Sequence, residues 1–237
     1  MAVNVTILAA GKGTRLGMPD PKPLTKLHDG RSIMQQQIEN VRSVFGTKAR
    51  ILVVVGFRFY RVVESFPDVV YLYNDEFDTT NTSKSLLRAL GAHPKGGVLW
   101  LNGDVVFDPQ VLERLRPHID ADESVVAVNT AKVSDEEVKY RVDDDGYISE
   151  LSKQVVGGLG EAVGINYVAS SDRKALRKRL AQVDDQDYFE GGMELAIHQD
   201  GARFRPVDIS DVFAVEVDFP EDLDRANEGI DSGLLPS

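Results

Sequence analysis

Short apolar runs alternate with amphipathic stretches through the first half of the chain. The runs are rich in Val, Ile and Leu, a pattern typical of strands that are buried on both faces of a parallel sheet. Between them, apolar residues recur every three or four positions, which is typical of helices. This alternation predicts an α/β fold with right-handed crossovers. The predicted strands span residues 3–9, 49–55, 69–73, 98–101 and 124–130, and the predicted helices span residues 31–45, 58–66, 84–93 and 109–118.

After residue 130 the pattern changes from crossover units to a hairpin. Two strand-like segments, 138–142 and 147–151, flank the turn sequence Asp143-Asp144-Asp145-Gly146. Because no composition shift marks a linker, we expect one domain over residues 1–230, with an inserted or appended lobe at roughly 131–210 and a tail at 231–237. Further predicted strands span 164–169, 203–208 and 213–217, and further predicted helices span 171–182, 187–198 and 219–228.

The first predicted strand opens into a loop that is rich in glycine and basic residues. The loop reads Gly11-Lys12-Gly13-Thr14-Arg15-Leu16-Gly17 and is followed by Pro21-Lys22-Pro23-Leu24. Small residues let backbone N–H groups approach an anion while the cations supply counter-charge, so the loop predicts a phosphate site. It matches neither the dinucleotide-binding motif, whose third glycine is replaced by Leu16, nor the P-loop spacing. A tight turn with surface lysines is the structural alternative.

Two aspartates directly follow predicted strands. Asp104 ends the sequence Asn102-Gly103-Asp104 after one strand, and Asp218 follows another. Open α/β sheets bind ligands at the carboxyl ends of their strands, and Mg²⁺ beside a phosphate takes one or two protein carboxylates. Each aspartate also has a structural alternative. Asp104 could be an ordinary turn residue, and Asp218 with Glu221 resembles a helix-capping box.

Other polar groups give weaker signals. The sequence Asp143-Asp144-Asp145 lies between two strands and is typical of a solvated turn rather than a metal site. The four histidines show no ligand spacing, and no Ser/His/Asp nucleophile set is apparent. The sequence Tyr188-Phe189-Glu190 indicates either a helix start with core aromatics or a pocket for a cationic or hydroxylated head group.

The overall charge makes the basic loop more informative. The chain has 27 Lys and Arg against 38 Asp and Glu, a formal net charge of −11, which argues against nucleic acid or an anionic membrane as a partner. Cysteine is absent, so disulfide and thiol chemistry are excluded. No apolar run approaches the ~20 residues of a membrane span, and the first residues carry no basic leader, so we expect a soluble, cytoplasmic protein. We expect it to be either a monomer or a homodimer.

The two loop sequences resemble the signature of nucleotidyltransferases that activate phosphorylated small molecules. Leu8-Ala9-Ala10 precedes the glycine-rich loop, and Asp104 and Asp218 stand where this family places two metal aspartates. The branch of phosphocholine, inositol-phosphate and aminoalkylphosphonate cytidylyltransferases is more similar still, through Asn81-Thr82-Ser83-Lys84-Ser85-Leu86 and Tyr188-Phe189-Glu190. The resemblance implies a Rossmann-like three-layer sandwich with a mostly parallel central sheet and a small acceptor-binding lobe, of the nucleotide-diphospho-sugar transferase type.

This resemblance also implies the reaction and the site. A nucleoside monophosphate, with CTP as the favoured donor, is transferred to a phosphorylated or phosphonate acceptor, with Mg²⁺ as cofactor and release of pyrophosphate. Arg15 and Lys22 are implied to be catalytic, and Asp104 and Asp218 to bind the metal. The implied nucleotide-binding residues are Leu8, Ala9, Ala10, Gly11, Lys12, Gly13, Thr14, Asn74, Asn81, Ser85 and Gly103, and the implied acceptor-binding residues are Lys153, Glu161, Tyr188 and Glu190.

Three other functions stay open at this point. A sugar-1-phosphate nucleotidylyltransferase that uses UTP, dTTP or GTP differs in its nucleotide and acceptor preference. A catalytically silent regulatory protein on the same fold binds nucleotide without releasing pyrophosphate. A glycosyltransferase of similar fold would carry Asp-x-Asp at a strand end, whereas the pattern in Asp143-Asp144-Asp145 lies in the predicted hairpin turn. The sequence does not identify the acceptor.

Overall fold

The computed structural model describes residues 2–131 and 137–235. Residue 1, residues 132–136 of the predicted lobe and residues 236–237 of the predicted tail lie outside this description. The strands are β1 (Asn4–Ala9), β2 (Arg50–Val55), β3 (Val70–Tyr73), β4 (Val98–Asn102), β5 (Val105–Phe107), β6 (Val125–Asn129), β7 (Lys139–Val142), β8 (Ile148–Ser152), β9 (Glu161–Val168), β10 (Arg205–Asp208) and β11 (Ala214–Glu216). The helices are α1 (Ile33–Phe45), α2 (Phe59–Ser65), α3 (Thr82–Ala92), α4 (Gln110–Asp120), α5 (Arg173–Leu180), α6 (Phe189–Asp200) and α7 (Pro220–Asp231).

The central sheet confirms the predicted fold class. Its strand order is β3-β2-β1-β4-β9-β6-β10. β1 is paired in parallel with β2 on one side and with β4 on the other. β9 is the exception to the parallel arrangement, because it lies antiparallel between β4 and β6. Along this seven-strand path the sheet is therefore mostly parallel, with one strand of opposite direction near its middle, and the antiparallel pair β7 and β8 joins the sheet at β9.

Helices cover both faces of this sheet and give three layers. Along β1, Val5 and Ile7 point into one apolar cluster and Leu8 points into another, as the alternation of a strand requires. α1 and α4 contribute to the first cluster, and α3, α5 and α6 contribute to the second. Both faces of the central strands are buried, which explains why their sequences are continuous apolar runs.

A small two-stranded ribbon lies apart from the main sheet. β5 pairs antiparallel with β11, so that Val105 faces Glu216 and Phe107 faces Ala214. The sequence pattern did not predict β5, because this strand is short and directly follows the turn after β4. The ribbon packs on a third apolar cluster, whose buried members are Leu16, Leu27, Ile33, Val106, Val215, Val217, Ala226 and Leu235.

The described chain after residue 131 contains the predicted hairpin and three helices, α5, α6 and α7. β7 and β8 pair antiparallel around the Asp143-to-Gly146 turn, and Lys139 on β7 also pairs with Glu161 on β9. The predicted elements are present, with boundaries that shift by a few residues. The last helix continues to Asp231, one residue past the predicted domain end, and Leu235 of the predicted tail is buried. Within the described residues, no helix is long and apolar enough to cross a bilayer.

Candidate active site

A cleft of about 540 Å³ lies at the carboxyl ends of β1 and β4, between the loop after β1, the start of α7 and the β7–β9 side of the fold. It brings together residues that are far apart in the sequence. The predicted site residues that line it are Leu8, Ala9, Gly11, Lys12, Gly13, Thr14, Arg15, Lys22, Asn81, Gly103, Asp104, Lys153, Tyr188, Glu190 and Asp218. The individual roles of these residues stay predictions.

The glycine-rich loop packs closely against Lys22. Gly13 has a φ of +60°, which favours glycine, and a Cβ atom at this position would lie 2.9 Å from the Cβ atom of Lys22. Lys22 opens a short 3₁₀ turn that ends at Leu24, and only 8% of its surface is exposed. The glycine-rich sequence and the Pro-Lys-Pro sequence therefore form one structural unit.

Lys22 bridges the two predicted metal aspartates. Its Nζ atom lies 2.8 Å from Oδ2 of Asp104 and 2.5 Å from Oδ1 of Asp218. The Nη1 atom of Arg15 donates to the other oxygen of Asp218 at 2.6 Å. Burial alone would lower the pKa of Lys22, but the two carboxylates raise it above its ordinary value. Lys22 therefore carries a full positive charge at neutral pH in the centre of the cleft.

The turn that carries Asp104 is held by helix α1. Gln37 on this helix donates to the carbonyl oxygens of Asn102 and Val105, both at 2.8 Å. Gly103 donates its N–H to the carbonyl of Leu8 at 2.9 Å, and a Cβ atom at Gly103 would lie 2.6 Å from the same oxygen. A buried polar face on α1 and a glycine therefore fix the position of Asp104 beside β1.

Asp218 is positioned by the β5–β11 ribbon and by the start of α7. Val217 donates its N–H to the carbonyl of Asp104 at 3.0 Å. The carboxylate of Asp222 accepts the N–H groups of Asp218 at 3.0 Å and of Phe219 at 2.8 Å. The predicted capping partner, Glu221, is therefore wrong by one residue, because the helix cap is Phe219 rather than Asp218. Since Asp222 accepts the N–H groups at the start of α7, the carboxylate of Asp218 is not used as a helix cap and faces the cleft.

Glu216 is a cleft residue that the sequence analysis missed. It precedes Asp218 by two positions and also lines the cleft. Its Oε1 atom accepts a hydrogen bond from Nδ2 of Asn102 at 3.0 Å. Burial, followed by the charge of Asp104, raises the pKa of Glu216 well above its ordinary value. The spacing of two positions between Glu216, at the end of β11, and Asp218, just after it, was the signal that could have identified it.

The two aspartates fit a divalent cation. Oδ1 of Asp104 is buried and has no hydrogen-bond partner among the described residues, and a buried carboxylate oxygen without a partner is costly unless it is a ligand. Two carboxylates are the number that Mg²⁺ takes beside phosphate oxygens and water. Within the described residues there is no group of three or more Asp, Glu or His side chains that could hold a metal.

Lys153, Tyr188 and Glu190 form another wall of the cleft. The Nζ atom of Lys153 lies 5.4 Å from the centre of the Tyr188 ring. Tyr188 precedes α6, and Glu190 lies in its first turn. Burial raises the pKa of Glu190 to about 7, although Lys153 opposes the shift. The helix start with core aromatics is confirmed, because Phe189 packs in the core against Trp100. Its two neighbours line the cleft, and the pocket for a cationic or hydroxylated head group stays a prediction.

Four predicted site residues do not line the cleft. Asn74 is fully buried and donates to Oγ of Ser85 at 3.2 Å, so this pair holds the turn before α3. The carbonyl of Ala10 accepts the N–H of Phe57 at 3.0 Å. Glu161 begins β9 and pairs with Asn129 and Lys139. Direct contact of these four residues with a ligand stays a prediction. Asn74, Ser85 and Ala10 make contacts that hold neighbouring loops, and Glu161 is part of the sheet.

Known proteins resemble this chain in sequence and in fold. The sequence model of the MobA-like NTP transferase domain matches residues 5–194. The CMP-5'-(3-aminopropyl)phosphonate synthase of Streptomyces rubellomurinus is 28% identical over 95% of this chain, which spans only 38% of that relative. The 2-aminoethylphosphonate cytidylyltransferase of Lancefieldella rimae is 28% identical over 81% of this chain and 75% of its own length.

Solved structures share the fold over nearly the whole chain. The inositol-1-phosphate CTP transferase from T. maritima superposes with a TM-score of 0.78 at 16% identity, covering 100% of this chain and 98% of its own. The CTP:phosphocholine cytidylyltransferase from Streptococcus pneumoniae superposes with a TM-score of 0.75 at 16% identity, covering 97% of this chain and 100% of its own. At these identities the likeness establishes the fold.

Proposed function

The chain belongs to the family of MobA-like NTP transferase domains, and on this premise we propose that it is a cytidylyltransferase that joins CMP from CTP to a small phosphonate or phosphate acceptor. The observation that carries the proposal is the contact of Lys22 with both Asp104 and Asp218 beside the glycine-rich loop. This arrangement concentrates cations and carboxylates where a triphosphate must be held and neutralised. The two relatives, whose names specify CMP or cytidylyl transfer to aminoalkylphosphonates, support both the donor and the acceptor.

The reaction is an in-line displacement at phosphorus. An oxygen of the acceptor phosphonate attacks the α-phosphorus of CTP, a new P–O bond forms, and the bond to the β-phosphate breaks to release pyrophosphate. The nucleophile needs no protein base, since a phosphate monoester loses its second proton near pH ~6 and is already an anion at neutral pH. For this reason the reaction needs no histidine in the cleft to act as a base. The protein must bring two anions together in the correct geometry.

The loop cations hold the triphosphate. The backbone N–H groups of the glycine-rich loop and the Arg15 guanidinium are placed to bind the leaving phosphates. Lys22 is the most buried of the cleft cations, and its ammonium stabilises the negative charge that develops at the α-phosphate. Asp104 and Asp218 would hold a divalent cation such as Mg²⁺, which when bound supplies further neutralisation of the phosphates. In this scheme, Lys22 exchanges its contact with the carboxylates for contact with the nucleotide.

The acceptor occupies the side of the cleft that Lys153, Tyr188 and Glu190 form. Lys153 carries the positive charge that an incoming phosphonate or phosphate requires. Asn81, at the N-cap of α3, also lines the cleft, and we assign it to the nucleoside. The nucleotide and the acceptor are thus assigned to different elements of the fold, the first to β1, α3 and their loops and the second to β8 and α6.

A pyrophosphate-release screen tests this function. CTP, UTP, dTTP, GTP and ATP are each combined with 2-aminoethylphosphonate, 3-aminopropylphosphonate, phosphocholine, a polyol phosphate and a hexose 1-phosphate. We expect pyrophosphate with CTP and an aminoalkylphosphonate, and a CMP-linked product detected by mass spectrometry. Preference for UTP or dTTP with a hexose 1-phosphate would instead identify a sugar nucleotidylyltransferase. Nucleotide binding without pyrophosphate from any combination would identify a silent binding protein.

A further inference from the structure

The cleft is lined by one basic side chain that the sequence analysis did not predict. Arg225 lies in the second turn of α7, and 52% of its side chain is exposed. Its Nη2 atom donates to Oδ1 of Asp222 at 2.5 Å. The remaining N–H groups of this guanidinium have no acceptor among the described residues. Since a guanidinium carries several N–H donors in a fixed fork, Arg225 is able to bind an anion that enters the cleft.

The ion pair of Arg225 with Asp222 contributes little as a structural contact. The two residues are three positions apart on one helix, and water screens the exposed guanidinium, so pairs of this kind stabilise a helix only weakly. Asp222 caps α7 through its other oxygen, Oδ2, which accepts the N–H groups of Asp218 and Phe219. The cap therefore does not depend on Arg225, and the guanidinium can exchange Oδ1 of Asp222 for an anionic ligand.

Two guanidiniums are held around the start of α7. Arg15 contacts Oδ2 of Asp218 at 2.6 Å, directly before the helix, and Arg225 contacts Asp222 within its first turn. The same Asp218 carboxylate contacts Lys22 through Oδ1 at 2.5 Å. Positive charge therefore continues along this wall of the cleft, from Lys22 past Arg15 to Arg225. A chain of phosphates that begins at Lys22 can follow these cations.

We propose that Arg225 binds the terminal phosphate of the nucleoside triphosphate and thereby makes the cleft selective for triphosphates over the corresponding monophosphate. This inference rests on the proposed function and adds a specificity-determining residue to it. The guanidinium fork matches two phosphate oxygens, and without it the carboxylate of Asp222 would repel the phosphate. Because the terminal phosphate is remote from the reacting α-phosphorus, this contact contributes to substrate binding rather than to the chemical step.

The test compares Arg225→Gln with wild type on two nucleotides that differ only in the phosphate tail. Calorimetry with Mg²⁺ measures the binding of CMP and of a CTP analogue whose α,β-bridging oxygen is replaced by a methylene group. We expect Arg225→Gln to weaken binding of the analogue about 10- to 100-fold, as loss of a charged hydrogen bond does, and to change CMP binding by less than about twofold. Arg225→Lys keeps the charge without the fork, so its loss should be intermediate. Arg42→Gln, at an exposed arginine on α1, is the control and should change neither.

The outcomes separate this inference from the proposed function. Equal weakening of CMP and of the analogue by Arg225→Gln would show that Arg225 only positions Asp218 through Asp222, and it would overturn the inference, as would unchanged binding of the analogue. Pyrophosphate release from CTP by wild type in either case would leave the proposed function intact.

Steady-state kinetics give a second readout. The KM for CTP should rise in Arg225→Gln while kcat at saturating CTP stays within about twofold of wild type, and a fall in kcat alone would contradict the inference. Arg225-dependent binding of the analogue without pyrophosphate release from any acceptor would support the triphosphate contact and overturn the proposed function. Failure of wild type to bind the analogue would overturn both.

Discussion

The Nζ atom of Lys22 lies 2.8 Å from Oδ2 of Asp104, although the two residues are 82 positions apart in the sequence. Lys22 comes from the loop system after β1, and Asp104 comes from the turn between β4 and β5. Helix α1 supports that turn through Gln37, so the contact depends on the packing of the whole nucleotide side of the fold. Because Lys22 is buried in the cleft before a substrate binds, its charge is already in place and has only to exchange the carboxylates for the nucleotide.

Replacement of Lys22 or Asp104 should reduce turnover strongly while the protein stays folded. We expect Lys22→Ala and Asp104→Asn to lower kcat by ~10²–10³, the usual effect of removing one preorganised charge contact. The measurement is pyrophosphate release with saturating CTP and acceptor, together with circular dichroism to show that each variant is folded. Lys26→Ala is the matched control, because Lys26 is an exposed lysine of the same loop whose ammonium contacts the carbonyl of Gly30. Near-wild-type turnover by Lys22→Ala would show that its assignment is wrong.

Removal of divalent cations should stop the reaction. The two carboxylates of Asp104 and Asp218 suit a cation that shares its remaining ligands with phosphate. We expect no pyrophosphate release in excess chelator and full recovery when Mg²⁺ is restored. Binding of Mn²⁺ in the presence of a CTP analogue, followed by electron paramagnetic resonance, should weaken at least about tenfold in Asp104→Asn. Unchanged turnover in chelator would contradict the metal assignment.

The buried Leu235 should matter more than its neighbour Leu234. Leu235 is 2% exposed and shares an apolar cluster with Leu16, next to Arg15, and with Val217, next to Asp218. We expect Leu235→Ala to lower the free energy of unfolding by about 2 kcal/mol and to raise the KM for CTP severalfold, since the cluster supports both sides of the triphosphate site. Leu234 is 58% exposed, and Leu234→Ala should change stability by less than about 0.5 kcal/mol.

Urea unfolding and steady-state kinetics of the two leucine variants decide this point. If Leu235→Ala lowered stability while the KM values for CTP and acceptor stayed at wild-type levels, the cluster would be a general part of the core. If Leu234→Ala and Leu235→Ala had the same stability and the same KM values, the burial of Leu235 would not contribute to function.

His93 should make the protein acid-sensitive. Its Nε2 atom lies 2.8 Å from Oγ1 of Thr6 in β1, and burial, with smaller contributions from Arg173 and Arg50, lowers its pKa to about 4. In the unfolded chain a histidine titrates near ~6.5. As the pH falls from about 6.5 to about 4, the unfolded chain binds a proton that the folded chain does not, so stability falls by up to roughly 3 kcal/mol.

A variant that lacks only His93 tests this contribution. His93→Gln keeps a hydrogen-bonding side chain beside Thr6 but does not titrate, so its free energy of unfolding should fall less over this pH range. His28→Gln, at an exposed histidine, is the control. The measurement is urea unfolding at several pH values between about 4 and about 7. Identical pH dependence of His93→Gln and wild type would show that another group controls the acid sensitivity.

Local signals made the first half of the fold predictable. The apolar run of β1 and the glycine-rich loop after it are consecutive in the sequence, so pattern and motif identified them directly. Asp104 and Asp218 were each singled out because they follow a strand, but only the family resemblance implied that they act as a pair. Their common contact with Lys22 could not be derived from spacing, since it depends on how three separate loops pack.

Other features escaped because their signals are not local. β5 is a three-residue strand, too short for a periodicity, and its partner β11 lies more than a hundred residues later. The buried amide of Gln37 looks like an ordinary polar helix position until its acceptors on the β4–β5 turn are known. The antiparallel direction of β9 was equally hidden, because the apolar pattern of a buried strand carries no direction.

The β5–β11 ribbon also has a consequence for how the protein is made. Residues 105–107 are synthesised more than a hundred residues before their partner strand and Asp218. The nascent chain can therefore assemble the parallel strands around β1 well before it acquires the second carboxylate. A product that terminates before residue 214 retains the glycine-rich loop and Asp104 but lacks Asp218, which contacts both Arg15 and Lys22. In the proposed mechanism, the site therefore becomes complete only after synthesis has passed Asp218.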